Sequence, residues 1–329
     1  MKKHKILLVG CGQLGSRHLQ AIAALDHVME VHVIDNNPAS IETGKARLAQ
    51  LADLNREIKF YWHDGFDRSL ANGDLCLIAT QARGRKDLLK RAAGEFGYRT
   101  FMIEKVVDQS VDDYLDLMEY SNRNELSVWV NCPVRTYAIH KYIKSRLKPG
   151  ESVTFSDFGG NHGLGCNGVH PADLFLFYDG SAEIKISGSR VDPILHPSKR
   201  GKEIMDLSGS LYGYTEKGSD FILSFSSRHY DPEIFSITSD SCRYIVDHSM
   251  MLAHESLAES GWDWRRVPME ENIFVSHLSK RFVSDILLRG KCELPTLQEA
   301  FSAHKFILDQ LLPHFNRLLG LKAKSCPIT

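Results

Sequence analysis

The run Val9-Gly10-Cys11-Gly12-Gln13-Leu14-Gly15 carries glycines in the spacing GxGxxG, after a short apolar stretch and before one with helical periodicity. In that setting each glycine has its own task. Gly10 permits a tight turn, Gly12 lets a diphosphate approach the backbone, and Gly15 lets helix and strand pack closely. The first helical amides, Gln13 and Leu14 among them, offer donors and the positive end of the helix dipole to an anion. Asp35 follows 20 residues after Gly15, at the end of the second apolar run. A carboxylate there accepts from ribose hydroxyls and repels a 2′-phosphate. The pattern points to a bound dinucleotide, NAD in preference to NADP. Read as structure alone, the same residues form a tight turn and a helix cap. The agreement of strand, spacing and acid favours the dinucleotide.

Other chemistries find little support. The seven cysteines are scattered with no CxxC pair, so neither a disulfide framework nor a structural zinc is expected, and the thiols suit a reducing compartment. The 15 histidines show no HExxH spacing, and no metal is expected. His18, one turn into the first helix, reads as a packing or surface residue. A net charge of -1 gives no reason to expect nucleic acid or a membrane surface as partner. The basic start precedes an apolar run of only Ile6 to Val9, too short for a leader, and no stretch is long enough to span a membrane. The expected location is the cytoplasm.

The elements that must position these residues follow from periodicity. Strands are expected at Lys5–Val9, Val31–Ile34, Ile58–Trp62, Leu75–Ala79, Thr100–Ile103 and Ser127–Val130. Helical patterns lie between them, including Gln13–Leu25, Arg85–Phe96 and Val111–Arg123. That alternation is the signature of a parallel βαβ sheet. Past about residue 133 the pattern changes. Strands are expected at Ser152–Phe158, Glu183–Val191, Ile204–Tyr214, Asp220–Ser226, Glu233–Thr238 and Arg243–Val246, with helices at Pro171–Tyr178, about Glu271–Leu288 and Leu297–Leu318. Two domains are expected, residues 1–132 and 133–329, with the final helix able to return to the first.

The strings GCGQLGSRHLQAI, DLCLIAT, Glu104-Lys105 after a strand, and GVHPAD occur in one order. Together they resemble the glucose-fructose oxidoreductase/inositol dehydrogenase family, Gfo/Idh/MocA, over most of the chain to the helix after LPTLQEA. The resemblance implies an α/β protein: an N-terminal Rossmann domain with a doubly wound parallel sheet, and a C-terminal α+β domain with an open, mostly antiparallel sheet. It also implies hydride transfer between a nicotinamide and a hydroxyl or carbonyl carbon of a sugar, polyol or sugar derivative. Many members form homodimers or homotetramers through the exposed sheet face.

The family's Glu-Lys-Pro motif appears here as Glu104-Lys105-Val106. Its lysine lies beside the nicotinamide and the reacting oxygen, so Lys105 and Glu104 are carried over. Without the proline, a trans peptide is expected before Val106. The second motif is an aspartate, a histidine four residues on and an aspartate three beyond, matched by Cys166, His170 and Asp173. A thiol supplies no fixed negative charge in place of the first aspartate. Three consequences stay open: His170 serves as acid/base alone, the substrate is one (an anionic sugar, for example) for which that carboxylate is unwelcome, or catalysis is lost. Asp173 is expected at the substrate. As a structural residue it would lie in the first turn of a helix opened by Pro171, with His170 just before it.

Thr80, at the end of the fourth strand, is expected on the nicotinamide side. Gln81 and Arg85 stand where the family often has a proline and a histidine. Asn131, Arg135, His162 and Asn167 are expected to contact substrate, and a surface ion pair is an equal account of Arg135. Trp262 and Trp264 either stack on a sugar face or pack. The resulting expectation is an enzyme in which Lys105 polarises the reacting oxygen and His170 exchanges its proton. The alternative is a non-catalytic NAD-binding regulator of the same fold.

Overall fold

The computed structural model describes residues 3–198, 201 and 203–329. Its first part alternates strand and helix: β1 (His4–Val9), α1 (Gly15–Ala23), β2 (Val28–Ile34), α2 (Pro38–Ala49), β3 (Lys59–His63), β4 (Leu75–Ile78), α3 (Arg85–Phe96), β5 (Thr100–Ile103), α4 (Val111–Arg123) and β6 (Ser127–Val130). These strands form a parallel sheet in the order β3-β2-β1-β4-β5-β6. The chain winds outward from β1 in one direction and from β4 in the other. Their C-terminal ends therefore flank the switch point, where open α/β sheets bind ligands. β1, β4 and β5 are almost wholly apolar because both faces are buried. The Asn37 side chain caps α2 by accepting from the Ala39 amide, and Pro38 fills the first helical turn.

The later part comprises α5 (Ala138–Arg146), β7 (Thr154–Gly159), α6 (Leu164–Asn167), α7 (Val169–Asp179), β8 (Lys185–Val191), β9 (His196–Pro197), β10 (Met205–Asp206), β11 (Gly209–Tyr214), β12 (Asp220–Phe225), β13 (Ile234–Thr238), β14 (Cys242–Asp247), β15 (Leu252–Leu257), β16 (Trp264–Pro268), α8 (Val275–Arg289) and α9 (Leu297–Leu319). Eight of its strands form one sheet in the order β16-β15-β14-β13-β7-β12-β11-β8. Only the β7–β12 pair within it is parallel. The period-2 alternation of β12 sends Phe221, Leu223 and Phe225 to the buried face. There Phe155 stacks on Phe221 at 5.7 Å, Phe175 of α7 at 5.2 Å, and Phe306 of α9 meets Phe221 edge-on at 5.3 Å. The opposite face stays open and carries Phe158, Tyr212, Tyr214, Ile234 and Ile245, all exposed.

The backbone divides into two compact units. One holds everything up to Asp108, with Asp112–Asn131 and Asn272–Gln298. The other holds Gln109–Val111, Cys132–Glu271 and Glu299–Thr329. α8 thus counts with the first unit, where it packs on α1, and α9 from Glu299 onward counts with the second. Several local expectations need correction. Ile204–Tyr214 is not one strand. β10 pairs with β9 instead, and β11 starts afresh at Gly209, whose φ of +129° no branched residue tolerates easily. α7 begins at Val169, two residues before Pro171, so His170 is helical and Asp173 lies beyond the first turn. β15 and β16, with sequences LAHESL and WRRVP, are too polar to have been read as strands.

Candidate functional site

In the first unit the glycine turn sits between β1 and α1, as its spacing requires. A Cβ on Gly10 would lie 2.9 Å from the Ala79 carbonyl carbon, and Gly10 has a φ of +91°. One on Gly15 would lie 2.0 Å from the Gly10 carbonyl oxygen. Both glycines are therefore demanded by the protein's own packing. Gly12 differs: a Cβ there meets nothing within 4 Å. The cradle is bare where a diphosphate would approach. Asp35, just after β2, accepts from the Cys11 amide at 2.7 Å and from the Asn37 amide at 2.9 Å, one on each carboxylate oxygen. Each oxygen retains acceptor capacity for a ribose hydroxyl. Burial, and then the Asp35 charge, push the Cys11 thiol up to about 12, so it remains protonated. Arg47 of α2 donates to the Gln13 carbonyl and side chain and to Ser16 Oγ, bringing a guanidinium to the same turn. These residues fit a nicotinamide dinucleotide.

At the ends of β4 and β5 the same unit gathers Thr80, Glu104, Lys105 and Asn131. Glu104 is fully buried. Burial alone would raise its carboxyl. Hydrogen bonds from His18 and Asn131, with the charges of His18 and Lys105, bring it below the ordinary range instead. His18 Nε2 lies 2.8 Å from Glu104 Oε1, and its Nδ1 lies 2.8 Å from Ser279 Oγ of α8. His18 is therefore a buried brace between α1, α8 and the Lys105 segment. It stands four residues from both Leu14 and Ile22, on the helix's buried stripe, a signal the sequence did contain. The Asn131 amide, expected at the substrate, is directed to Glu104. Lys105 is 7% exposed. The Lys105–Val106 peptide is cis rather than trans as expected. The carbonyls on both sides of Lys105 turn onto the Arg85 guanidinium, a demand that residue type alone does not reveal.

The second unit gathers the remaining candidates around α6 and α7. Arg135 makes a bidentate pair with Asp173, at 2.8 Å from Nε and 2.7 Å from Nη2. It is an internal pair, not a surface one, with the side chains 12% and 1% exposed. Burial pushes the Asp173 carboxyl up to about 6, and the Arg135 guanidinium opposes that shift. His170 and Asp173 share one face of α7, three residues apart. The Asn167 amide donates to the His162 carbonyl, and the His162 ring reaches the Asp231 carbonyl at 2.8 Å. Nearby, neither carboxyl oxygen of Asp157 has a hydrogen-bond partner. Burial, and then the Glu233 charge, hold that carboxyl well above its usual range. A carboxylate does stand beside Cys166, that of Asp206. Its oxygens are taken by the amides of Gly165, Cys166 and Leu207, so it caps α6. Trp264 is half-exposed on the edge strand β16, and Trp262 packs under Arg243 at 4.2 Å.

No protein-family model matches the chain. An L-lactate dehydrogenase of Staphylococcus haemolyticus is 31% identical over 152 residues, which span 44% of this chain and 45% of that enzyme. The match thus covers less than half of the curated relative. An oxidoreductase from Agrobacterium radiobacter, solved with NAD+, L-tartaric acid and magnesium, superposes with a TM-score of 0.76 at 12% identity over 95% of this chain and 97% of that one. A levoglucosan dehydrogenase in complex with NADH and levoglucosan gives 0.74 at 14% identity, over 96% of this chain and 98% of that one. Likeness at this identity extends over both units and concerns the fold.

Proposed function

We propose that this chain, which has the fold of the Gfo/Idh/MocA oxidoreductases, is an NAD-dependent dehydrogenase or reductase acting on a hydroxyl or carbonyl carbon of a sugar, polyol or sugar derivative. The observation that carries this reading is Gly12, a glycine for which the protein's own packing gives no reason. With Asp35 at the end of β2, it describes a seat for an adenine dinucleotide lacking a 2′-phosphate. Of the two structural relatives, one was solved in complex with NAD+ and L-tartaric acid and the other with NADH and levoglucosan.

Bound in that seat, the nicotinamide supplies a hydride acceptor or donor at C4. Lys105 donates to the reacting oxygen and stabilises the alkoxide charge that develops there. His170 removes the hydroxyl proton in oxidation and returns it in reduction. His162 and Asn167 contact substrate hydroxyls, and the Arg135–Asp173 pair holds the face of α7 that presents His170. In this reading the first unit binds the dinucleotide and the second binds the substrate. All seven cysteines are free thiols, which supports a cytoplasmic location.

The purified protein with NAD, offered a panel of sugars, polyols, uronic acids and nucleotide sugars, forms NADH with at least one of them. Tight NAD binding with no turnover across the panel would make the chain a regulator instead. Gly12→Ala keeps the thermal midpoint within about 2 °C of wild type but weakens NAD binding about tenfold or more, because the added methyl projects only into the ligand's space. Equal NAD affinity in that variant counts against the seat.

The open face of the second sheet also belongs to this reading. An exposed row of Phe158, Tyr212, Ile234 and Ile245 is larger than a monomer's scattered apolar residues and suits a second copy of the chain. Tyr212→Asp with Ile245→Asp yields monomers by light scattering from a wild-type dimer or tetramer, with NAD affinity unchanged. A monomeric wild type removes this part of the proposal.

A further inference from the structure

Arg85 is the bulkiest side chain fully buried among the described residues, 1% exposed at the first position of α3. Both circumstances oppose a cation. Burial strips its hydration, and the positive end of the helix dipole repels it. What offsets them is a set of carbonyl oxygens. Nη1 donates to the Glu104 carbonyl at 2.7 Å and to the Val106 carbonyl, and Nη2 donates to the Thr80 carbonyl. Thr80 lies two residues beyond β4, while Glu104 and Val106 follow β5 and lie on either side of Lys105. A planar guanidinium addresses several oxygens at once, as an ammonium does not. The Glu104 side chain is held independently by His18 and Asn131. Residue 105 is thus bracketed by the carbonyls of Glu104 and Val106, held from α3, and by its neighbour's carboxylate, held from α1 and the end of β6. Arg85 also falls on the buried stripe of α3 with Leu89, Ala92, Ala93 and Phe96, a position where an arginine has no packing purpose of its own.

We propose that Arg85 is the positioning residue for Lys105, fixing the carbonyls of the residues before and after it so that the ammonium is aimed at one point. This rests on the reading of Lys105 as the group that meets the reacting oxygen. The test reads Lys105 itself, with no substrate needed. Amine labelling of the intact protein, quantified lysine by lysine by mass spectrometry, is compared in wild type, Arg85→Lys and Arg85→Met. Labelling of Lys105 rises about tenfold in Arg85→Met and less in Arg85→Lys, while that of Lys86, next to Arg85 on α3 and ion-paired to Asp113 and Asp116 of α4, stays within about twofold. Added guanidinium ion slows Lys105 labelling again in Arg85→Met. On any substrate that wild type turns over, kcat falls and the KM for NAD does not move.

Unchanged Lys105 labelling in either folded variant, or an equal rise at Lys86, overturns the assignment. Should Arg85→Met fail to fold, Arg85→Lys alone decides it by the same comparison. Absence of NAD binding in wild type would instead strike the catalytic reading and leave the labelling result standing.

Discussion

Lys105→Met lowers turnover about 10²- to 10³-fold and leaves NAD affinity within about twofold, the loss expected when one preorganised donor to a developing oxyanion is removed. Two features make the effect large. Lys105 is almost wholly buried, so its charge acts in a medium that screens weakly. The Glu104 carboxylate beside it is itself pinned by His18 and Asn131. Methionine preserves most of the side chain's reach and packing, so the fold persists. One compensating change is expected: without the Lys105 charge, the Glu104 carboxyl loses one of the influences that keep it low. Initial rates at saturating substrate, set beside a calorimetric titration of NAD, separate the two quantities. A variant that turns over at wild-type rate would exclude Lys105 from the chemistry. One that no longer binds NAD would make it a cofactor residue.

The second large effect is on stability. Arg135→Ala destabilises the protein by about 3 kcal/mol at neutral pH, because it leaves the Asp173 carboxyl buried without its cation. The effect depends on pH with a definite sign. In the folded protein Asp173 titrates at about 6, above the 3.8 of an ordinary aspartate. Between those values the folded chain keeps a proton that the unfolded chain has released, so stability declines as pH rises through that window. Removing Arg135 takes away the influence opposing the shift and extends the window upward. The gap in thermal midpoint between wild type and Arg135→Ala should therefore be wider at pH 8 than at pH 5. Parallel melting curves across that range would mean that Asp173 stays ionised without help.

Much of the first unit was legible because its central strands are buried on both faces. Thr100–Ile103, Ser127–Val130 and Arg85–Phe96 match to the residue, since an apolar run or stripe bounded by turn residues leaves little room to slip. The second unit was harder to read. LAHESL and WRRVP lie toward one edge of a sheet with an open face, where polar side chains are tolerated and alternation fades. The glycine turn and Asp35 were readable because they are local and each residue type has one geometric reason to be there. The partners of Arg85, His18 and Arg47 were not, although Arg85 and His18 sit on buried helical stripes. An arginine in RGRKD or a histidine in SRHL resembles a solvated helix face. Their partners lie 19, 86 and 34 residues away for Arg85–Glu104, His18–Glu104 and Arg47–Gln13, and only the fold brings them together.

Every role proposed for these residues requires a nicotinamide dinucleotide bound at the turn between β1 and α1. Isothermal calorimetry of the purified wild-type chain should give one NAD site per chain with micromolar affinity, and NADP binding about tenfold weaker or worse, the discrimination expected of a carboxylate at position 35. Heat of binding absent for NAD, NADH, NADP and NADPH alike would contradict it.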